Sequence, residues 1–394
     1  MVEQKMRGFN KSIILGFSLM LLLMLVVHGK YYQRYFFIDD FWLLAFYRFG
    51  EDLWQWLSLP IGHFYRPVLV LLRLNYFFFG LNPLWYHLIN FILHFVNITL
   101  VFSVIYLFSK NIERAFLAGV IFAVHPISTQ TSALFCHQDN LFGVLFCLIA
   151  IWSWAKFRLN RENKFYFLAL LFMTFSFLCK ETMIVSPFLI IVYDQFYGKR
   201  LFRSVEGKFL DSVKLYIPLF FFLVLFLGWR WHVIGGLGGY EFQRISLSSF
   251  LPQMSYHLPR LFYYVFYKMI YSNYAIMDKW SDLIFSSFTL IFLLLLVTFF
   301  KDNRLPEIKT FSFGLIWIFI SIIPLSTSSH LLFGENVMIA ERYLYLPLIG
   351  FSIVLISLLG EDSGSGNRKL AKTVLLSLLI FLYVQISIKE NIIW

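Results

Sequence analysis

The sequence predicts an all-α integral membrane protein, a polytopic bundle of about eleven transmembrane helices with a long first outer loop. Three observations predict it. Of 394 residues, 59% are hydrophobic and only 14% charged, more apolar surface than a soluble fold can hide. Apolar runs of spanning length recur from end to end. The charge is also sorted. The breaks at 1–11, 109–114, 156–164, 199–214, 301–309 and 361–372 carry 20 basic and 9 acidic residues, which is the whole net charge of +11. By the positive-inside rule these short loops and the N-terminus are cytoplasmic. The high basicity is therefore a signature of topology, and nucleic-acid binding is not expected.

Taken in order, spans are expected near 12–28, 85–108, 115–132, 140–157, 165–179, 183–198, 213–231, 283–300, 309–325, 344–360 and 371–388. The first follows Lys5, Arg7 and Lys11 without a small-residue cleavage site, and reads as a retained span rather than a removed signal peptide. The fifth and sixth are short. Residues 256–277 are apolar enough to cross, but counting them would turn the later basic loops outward. They read instead as an aromatic helix in the interface, or re-entering. Two long segments then face the non-cytoplasmic side. The first outer loop, about 29–84, carries aromatic stretches at Phe41–Phe49 and Trp54–Leu57 that suit helices lying on the membrane. The second, about 232–282, begins with Gly235-Gly236-Leu237-Gly238-Gly239, a hinge and not a phosphate cradle, since neither a GxGxxG nor a Walker pattern is present. Residues 1–394 are expected to form a single membrane domain.

In this topology the ionisable residues at outer span ends share one face of the membrane: Asp39, Asp40, Arg66, Arg73, His125, His137, Asp139, Lys180, Glu181, Asp278, Glu341 and Arg342. Charges near membrane depth are costly and tend to be functional. Asp39-Asp40 is held against the surface by Phe36, Phe37, Phe41 and Trp42. Adjacent like charges raise at least one pKa, which suits a general base or a cation ligand; a solvated loop pair is the plainer alternative. Lys180 and Arg342 suit a phosphate, Glu181 and Glu341 supporting; a local Lys-Glu pair and an Arg reaching for lipid headgroups are the plainer readings. His125-Pro126 also fits a helix cap. Cys136, Cys147 and Cys179 form no disulfide framework and no Cys/His metal spacing. A divalent cation, Mg or Mn, held by carboxylates at Asp39 and Asp40 stays open; no cofactor is otherwise indicated.

At these residues the sequence resembles the GT-C superfamily of membrane glycosyltransferases, in particular the catalytic part of the transmembrane and tetratricopeptide-repeat O-mannosyltransferases. The resemblance rests on an ordered set from about 37 to 350: Asp39-Asp40, Tyr65-Arg66-Pro67, Arg73-Leu74-Asn75-Tyr76, Gly80-Leu81-Asn82-Pro83, Tyr86-His87-Leu88-Ile89-Asn90, Phe122 to Pro126, Cys179-Lys180-Glu181 and Ala340 to Pro347. It departs where the family has a second His (Ser128), a Glu (Gln130) and a Gly-Arg (Cys136-His137 before Asp139). The repeats of that family are not expected within residues 1–394, whose last expected span is 371–388.

The resemblance implies a GT-C fold and inverting transfer of a sugar from a dolichyl- or undecaprenyl-phosphate donor to an acceptor hydroxyl on a protein, lipid or glycan. Asp39, with Asp40, would serve as base. Arg342, Lys180, Arg66, Arg73 and His125 would meet the donor phosphate, with Glu181, His137, Asp139, Glu341 and Asp278 in support. The expected location is a bacterial inner membrane or an endoplasmic reticulum membrane, with the active site non-cytoplasmic. The rival is a multi-span lipid or glycolipid transporter or flippase, which would place such charges at the midplane of two similar halves. No halves are visible in the sequence.

Overall fold

The computed structural model describes residues 2–30, 34–37, 39–49, 68–198, 209–234, 265, 306–327, 332–333, 336–337, 340–358 and 366–393. Arg66, Asp278, the glycine hinge, the span expected at 283–300 and nearly all of 256–277 lie outside them. The described chain is a helical bundle: α1 Val2–His28, α2 Asp39–Phe49, α3 Val68–Phe79, α4 Pro83–Ser109, α5 Ile112–Val124, α6 Ile127–Ala133, α7 Gln138–Asn160, α8 Asn163–Cys179, α9 Ser186–Tyr193, α10 Phe209–Ile234, α11 Pro306–Ile322, α12 Tyr345–Leu358 and α13 Gly366–Ile393. A two-residue antiparallel pair, Leu332–Phe333 with Asn336–Val337, precedes the 3-10 turn Glu341–Leu344.

Six described helices are long and apolar enough to cross a membrane, or seven if one bent pair counts as a span. Eleven is therefore not reached among the described residues, and local chemistry explains two of the differences. The run expected at 115–132 is α5 plus α6, bent by 64°. The break falls at His125-Pro126, where the ring of Pro126 disfavours a helical residue before it. The run expected at 183–198 breaks into a 3-10 turn (Glu181–Val185), the eight-residue α9 with Pro187 in its first turn, and a π-helical segment (Asp194–Gly198). The aromatic stretch after Asp39 is helical, as expected.

Caps and turns set the helix lengths. Asn82 accepts the Leu84 N–H ahead of Pro83, and Asn111 accepts the Arg114 N–H. Lys110 and Arg161 end α4 and α7 in the left-handed region, at φ 54° and 60°. Both lie in the tight basic turns expected to be cytoplasmic. Other members of those loops meet at the same end: Arg114 with Glu307 at 3.8 Å, and Arg158 with the buried Asp194 at 2.9 Å, which also accepts from Tyr216.

Polar pins cross-link the helices, where lipid offers no competing partner. Asn90 on α4 donates to the carbonyls of Ser132 and Leu134, at 3.3 and 2.9 Å. Asn97 donates to the Leu141 carbonyl at 3.0 Å, and His94 meets the Tyr345 hydroxyl at 2.7 Å. Trp317 donates to the Leu346 carbonyl at 3.1 Å, and Ser387 to that of Val124 at 2.7 Å. α11 and α12 approach backbone to backbone: a Cβ at Gly314 would lie 2.7 Å from the Gly350 oxygen, and the reverse also holds. Gly350→Ala is expected to cost about 1–3 kcal/mol, because neither backbone can yield without separating the pair. Thermal unfolding in detergent checks this, with Gly228→Ala, where a Cβ meets nothing within 4 Å, as the control.

Candidate active site

The end of the bundle opposite the basic turns gathers most of the described residues singled out from the sequence. The two aspartates open α2 but divide in role. Asp39 is exposed. Asp40 is fully buried; its Oδ1 accepts the Cys136 N–H at 2.8 Å and its Oδ2 the Phe37 N–H at 3.1 Å. Leu43 and Leu44 of the same helix pack with Phe36, Tyr86 and Phe135 in an apolar cluster. Asp40 thus joins α2 to the turn before α7, with an N–H donated to each of its oxygens, while its neighbour Asp39 is exposed. Burial raises Asp40 to about 6, against the lowering effect of its hydrogen bonds.

That shift has a stability consequence of definite sign. The native state holds the Asp40 proton more tightly than the unfolded chain, whose pKa is near 3.8. The stability it contributes is complete below about pH 4 and is lost as pH rises through about 6, up to about 3 kcal/mol. Thermal unfolding of wild type and Asp40→Asn across this window should differ in slope, with the variant flatter.

Beyond this junction a run of contacts leads across the bundle. His137, 6% exposed, lies against Cys136, its Nδ1 at 3.5 Å from the thiol sulfur. Asp139, in the first turn of α7, is buried, with Oδ1 accepting the Asn140 N–H at 2.6 Å and Oδ2 3.7 Å from the Lys180 ammonium. Lys180 is 1% exposed and sits 4.8 Å over the Tyr343 ring; the Arg342 guanidinium lies 5.2 Å from the same ring. The Arg342 N–H donates to Gln130 Oε1 at 2.9 Å, which ties the 3-10 turn to α6. The position where the family has Glu thus serves here as a neutral acceptor. Glu341 is buried beside Arg342, and Glu181 is half-buried after Lys180.

Arg73 is half-buried on α3, which Asn75 holds to α7 through Gln138 Oε1 at 2.8 Å. His125 takes the capping role. Its Nδ1 accepts the Ile127 N–H at 3.2 Å, and its ring packs on Phe351 and Tyr383. Those contacts match the capping alternative read from the sequence. Tyr343 and Gln130 went unremarked as functional residues in the sequence; their places in the Ala340–Pro347 and His-Pro blocks were the available signal.

A metal fit is specific. A carboxylate oxygen of Asp39, the Cys136 sulfur and a His137 ring nitrogen lie within 4.8 Å of one another. Among the described residues these three groups could hold a metal ion, a different grouping from the Asp39-Asp40 pair considered from the sequence. Sequence spacing did not reveal it because Asp39 lies 97 residues before Cys136.

The likenesses to known proteins agree with this architecture. Residues 68–232 match the family model for dolichyl-phosphate-mannose-protein mannosyltransferase. Protein O-mannosyl-transferase F38B6.6 of Caenorhabditis elegans is 28% identical over 78% of this chain and 44% of its own length. Human protein O-mannosyl-transferase TMTC4 is 26% identical over 90% of this chain and 54% of its own. The fold aligns with the Archaeoglobus fulgidus oligosaccharyltransferase solved with Zn and sulfate, at TM-score 0.52 and 12% identity, over 95% of this chain and 53% of that one. It also aligns with AglB of the same organism in complex with an inhibitory peptide and a dolichol-phosphate, at TM-score 0.50 and 11% identity, over 96% and 56%. The chain thus spans about half the length of these proteins, and the transporter reading gains no support from them. The chain is thus similar in sequence to protein O-mannosyl-transferases and in fold to the oligosaccharyltransferases, with six or seven described helices long and apolar enough to cross a membrane.

Proposed function

We propose that this chain transfers a sugar from a polyprenyl-phosphate donor to an acceptor hydroxyl on the non-cytoplasmic side of its membrane, with inversion at the anomeric carbon. Asp39 takes the hydroxyl proton as the acceptor oxygen attacks C1 of the sugar from the face opposite the phosphate. The C1–O bond to phosphate breaks, leaving glycosylated acceptor, polyprenyl phosphate and protonated Asp39. Arg342 and Lys180 oppose the charge that grows on the departing phosphate, where fixed cations lower the barrier most. Asp40 positions the base and does not react. His137 and Asp139 hold the wall between the two halves of the site, and Glu341 and Glu181 flank the cations. The acceptor is a protein, lipid or glycan.

The observation that supports this most is the run of contacts from Asp139 through Lys180 and Tyr343 to Arg342, which starts three residues along the chain from the Cys136 held by Asp40, at the end opposite the basic turns. A lipid-linked sugar presents its head at such a surface while its tail stays among the helices. Incubation of the purified protein with labelled polyprenyl-phosphate sugars and a membrane lysate tests the reading. Consumption of one donor with label appearing in a new product is the expected result; no consumption of any donor would reject it.

A further inference from the structure

The ring of Tyr343 is shared by two cations. The Lys180 ammonium lies over it at 4.8 Å from the centroid, and the Arg342 guanidinium at 5.2 Å. The two charges are therefore within about 10 Å of one another, where like charges in a protein still repel. Lys180 is 1% exposed, so water does not screen it. Asp139 offsets its charge, but at 3.7 Å that contact is too long for a hydrogen bond and fixes no direction. The negative face of an aromatic ring attracts a cation, most strongly where the cation is desolvated. The ring is itself held in place. The Tyr343 N–H donates to the Ala340 carbonyl at 3.0 Å, and the side chain packs on the main apolar core. Gln130 fixes the adjoining Arg342 N–H. Among the described residues no contact engages the Tyr343 hydroxyl, so the ring face and not the oxygen carries the interaction.

We infer that Tyr343 is a positioning residue for the transfer: its ring holds the Lys180 ammonium and the Arg342 guanidinium at the spacing from which both meet one phosphate. This rests on the reading that those two cations serve the donor phosphate. Tyr343 acts through them and takes no part in the bonds that form and break. The donor is a phosphodiester with one negative charge, and the departing polyprenyl phosphate is a monoester with nearly two. Cations already held in place gain most as that charge grows, because nothing must reorganise at the moment of reaction. Without the ring, the buried ammonium is left to Asp139, and the half-buried Arg342 is free to reach for lipid headgroups.

A polyprenyl monophosphate without sugar is the probe, since it carries the charge of the leaving group. Tyr343→Leu should weaken its binding to the purified protein in detergent by about 10- to 30-fold, the worth of a desolvated cation–π contact. It should lower kcat/KM for transfer in proportion. Tyr343→Phe should bind and transfer like wild type. Tyr343→Phe carrying one, two and three ring fluorines drains charge from the ring face while hardly changing its shape, so affinity should fall stepwise with fluorine number. A ring that only fills space would not show that gradient, and these near-isosteres decide the matter even where Tyr343→Leu does not fold. Equal affinity across the fluorinated series, a loss in Tyr343→Phe as large as in Tyr343→Leu, or wild type that binds no monophosphate would each overturn the inference. Wild type that binds the monophosphate but consumes no donor would reject the transferase reading instead, while the fluorinated series would still decide what the ring does.

Discussion

Asp39→Asn is expected to lower transfer by about 100- to 10,000-fold, the usual worth of a positioned general base, while the protein still inserts and unfolds like wild type. Two features make this separation clean. Asp39 is exposed, so the amide loses no buried partner. The fold-bearing carboxylate is its neighbour Asp40, which accepts from Phe37 and Cys136. Single-turnover transfer with a fixed donor, beside a thermal melt, makes the comparison. Asp40→Asn should show the reverse balance: an amide cannot accept both N–H groups, so the melt shifts first and transfer falls only as α2 loosens. Retention of full transfer by Asp39→Asn would remove it from the base role.

Lys180→Met should be strongly destabilising, by about 3–5 kcal/mol, because it takes from the fully buried Asp139 the ammonium 3.7 Å away. Asp139→Leu should cost a similar amount for the mirrored reason. The double variant Lys180→Met/Asp139→Leu should recover most of the loss, since an apolar pair of similar volume often replaces a buried ion pair at little cost. That recovery separates structure from chemistry. If Lys180 also serves the donor phosphate beside Arg342, the refolded double variant stays defective, with a raised KM for donor and a lower kcat. If it transfers like wild type, the pair is purely structural. Denaturant or thermal melts give the first comparison and donor titrations the second.

The sequence made the class of the molecule legible because lipid imposes a severe rule. Backbone groups must be satisfied within helices, so spanning runs and the Lys and Arg between them stand out. Lys110, Arg114, Arg158 and Arg161 mark one end of the bundle, and Asp39, Lys180 and Arg342 belong to segments at the other. The ordered blocks from Asp39 to Pro347 carried the likeness to O-mannosyltransferases, though each block alone is short. Less legible were the breaks. Hydropathy averages over a window, whereas the π-helical segment at Asp194–Gly198 depends on how Asp194 meets Arg158 and Tyr216 across the bundle.

What the sequence by itself determined is the solvent of this protein, the sorting of its charges to the two ends and its kinship, since composition and order along the chain encode all three. Only the tertiary structure decided the division of labour among like residues. Asp39 and Asp40 are adjacent and identical in type, yet one faces outward and the other is consumed by two backbone donors, one of them 96 residues away. Cys136 and His137 gain a carboxylate partner in the same manner, and His125 is turned into a cap by Ile127 and the rings around it. Burial and hydrogen-bond partners are properties of position in space, and for these side chains the deciding neighbours come from the meeting of distant helices.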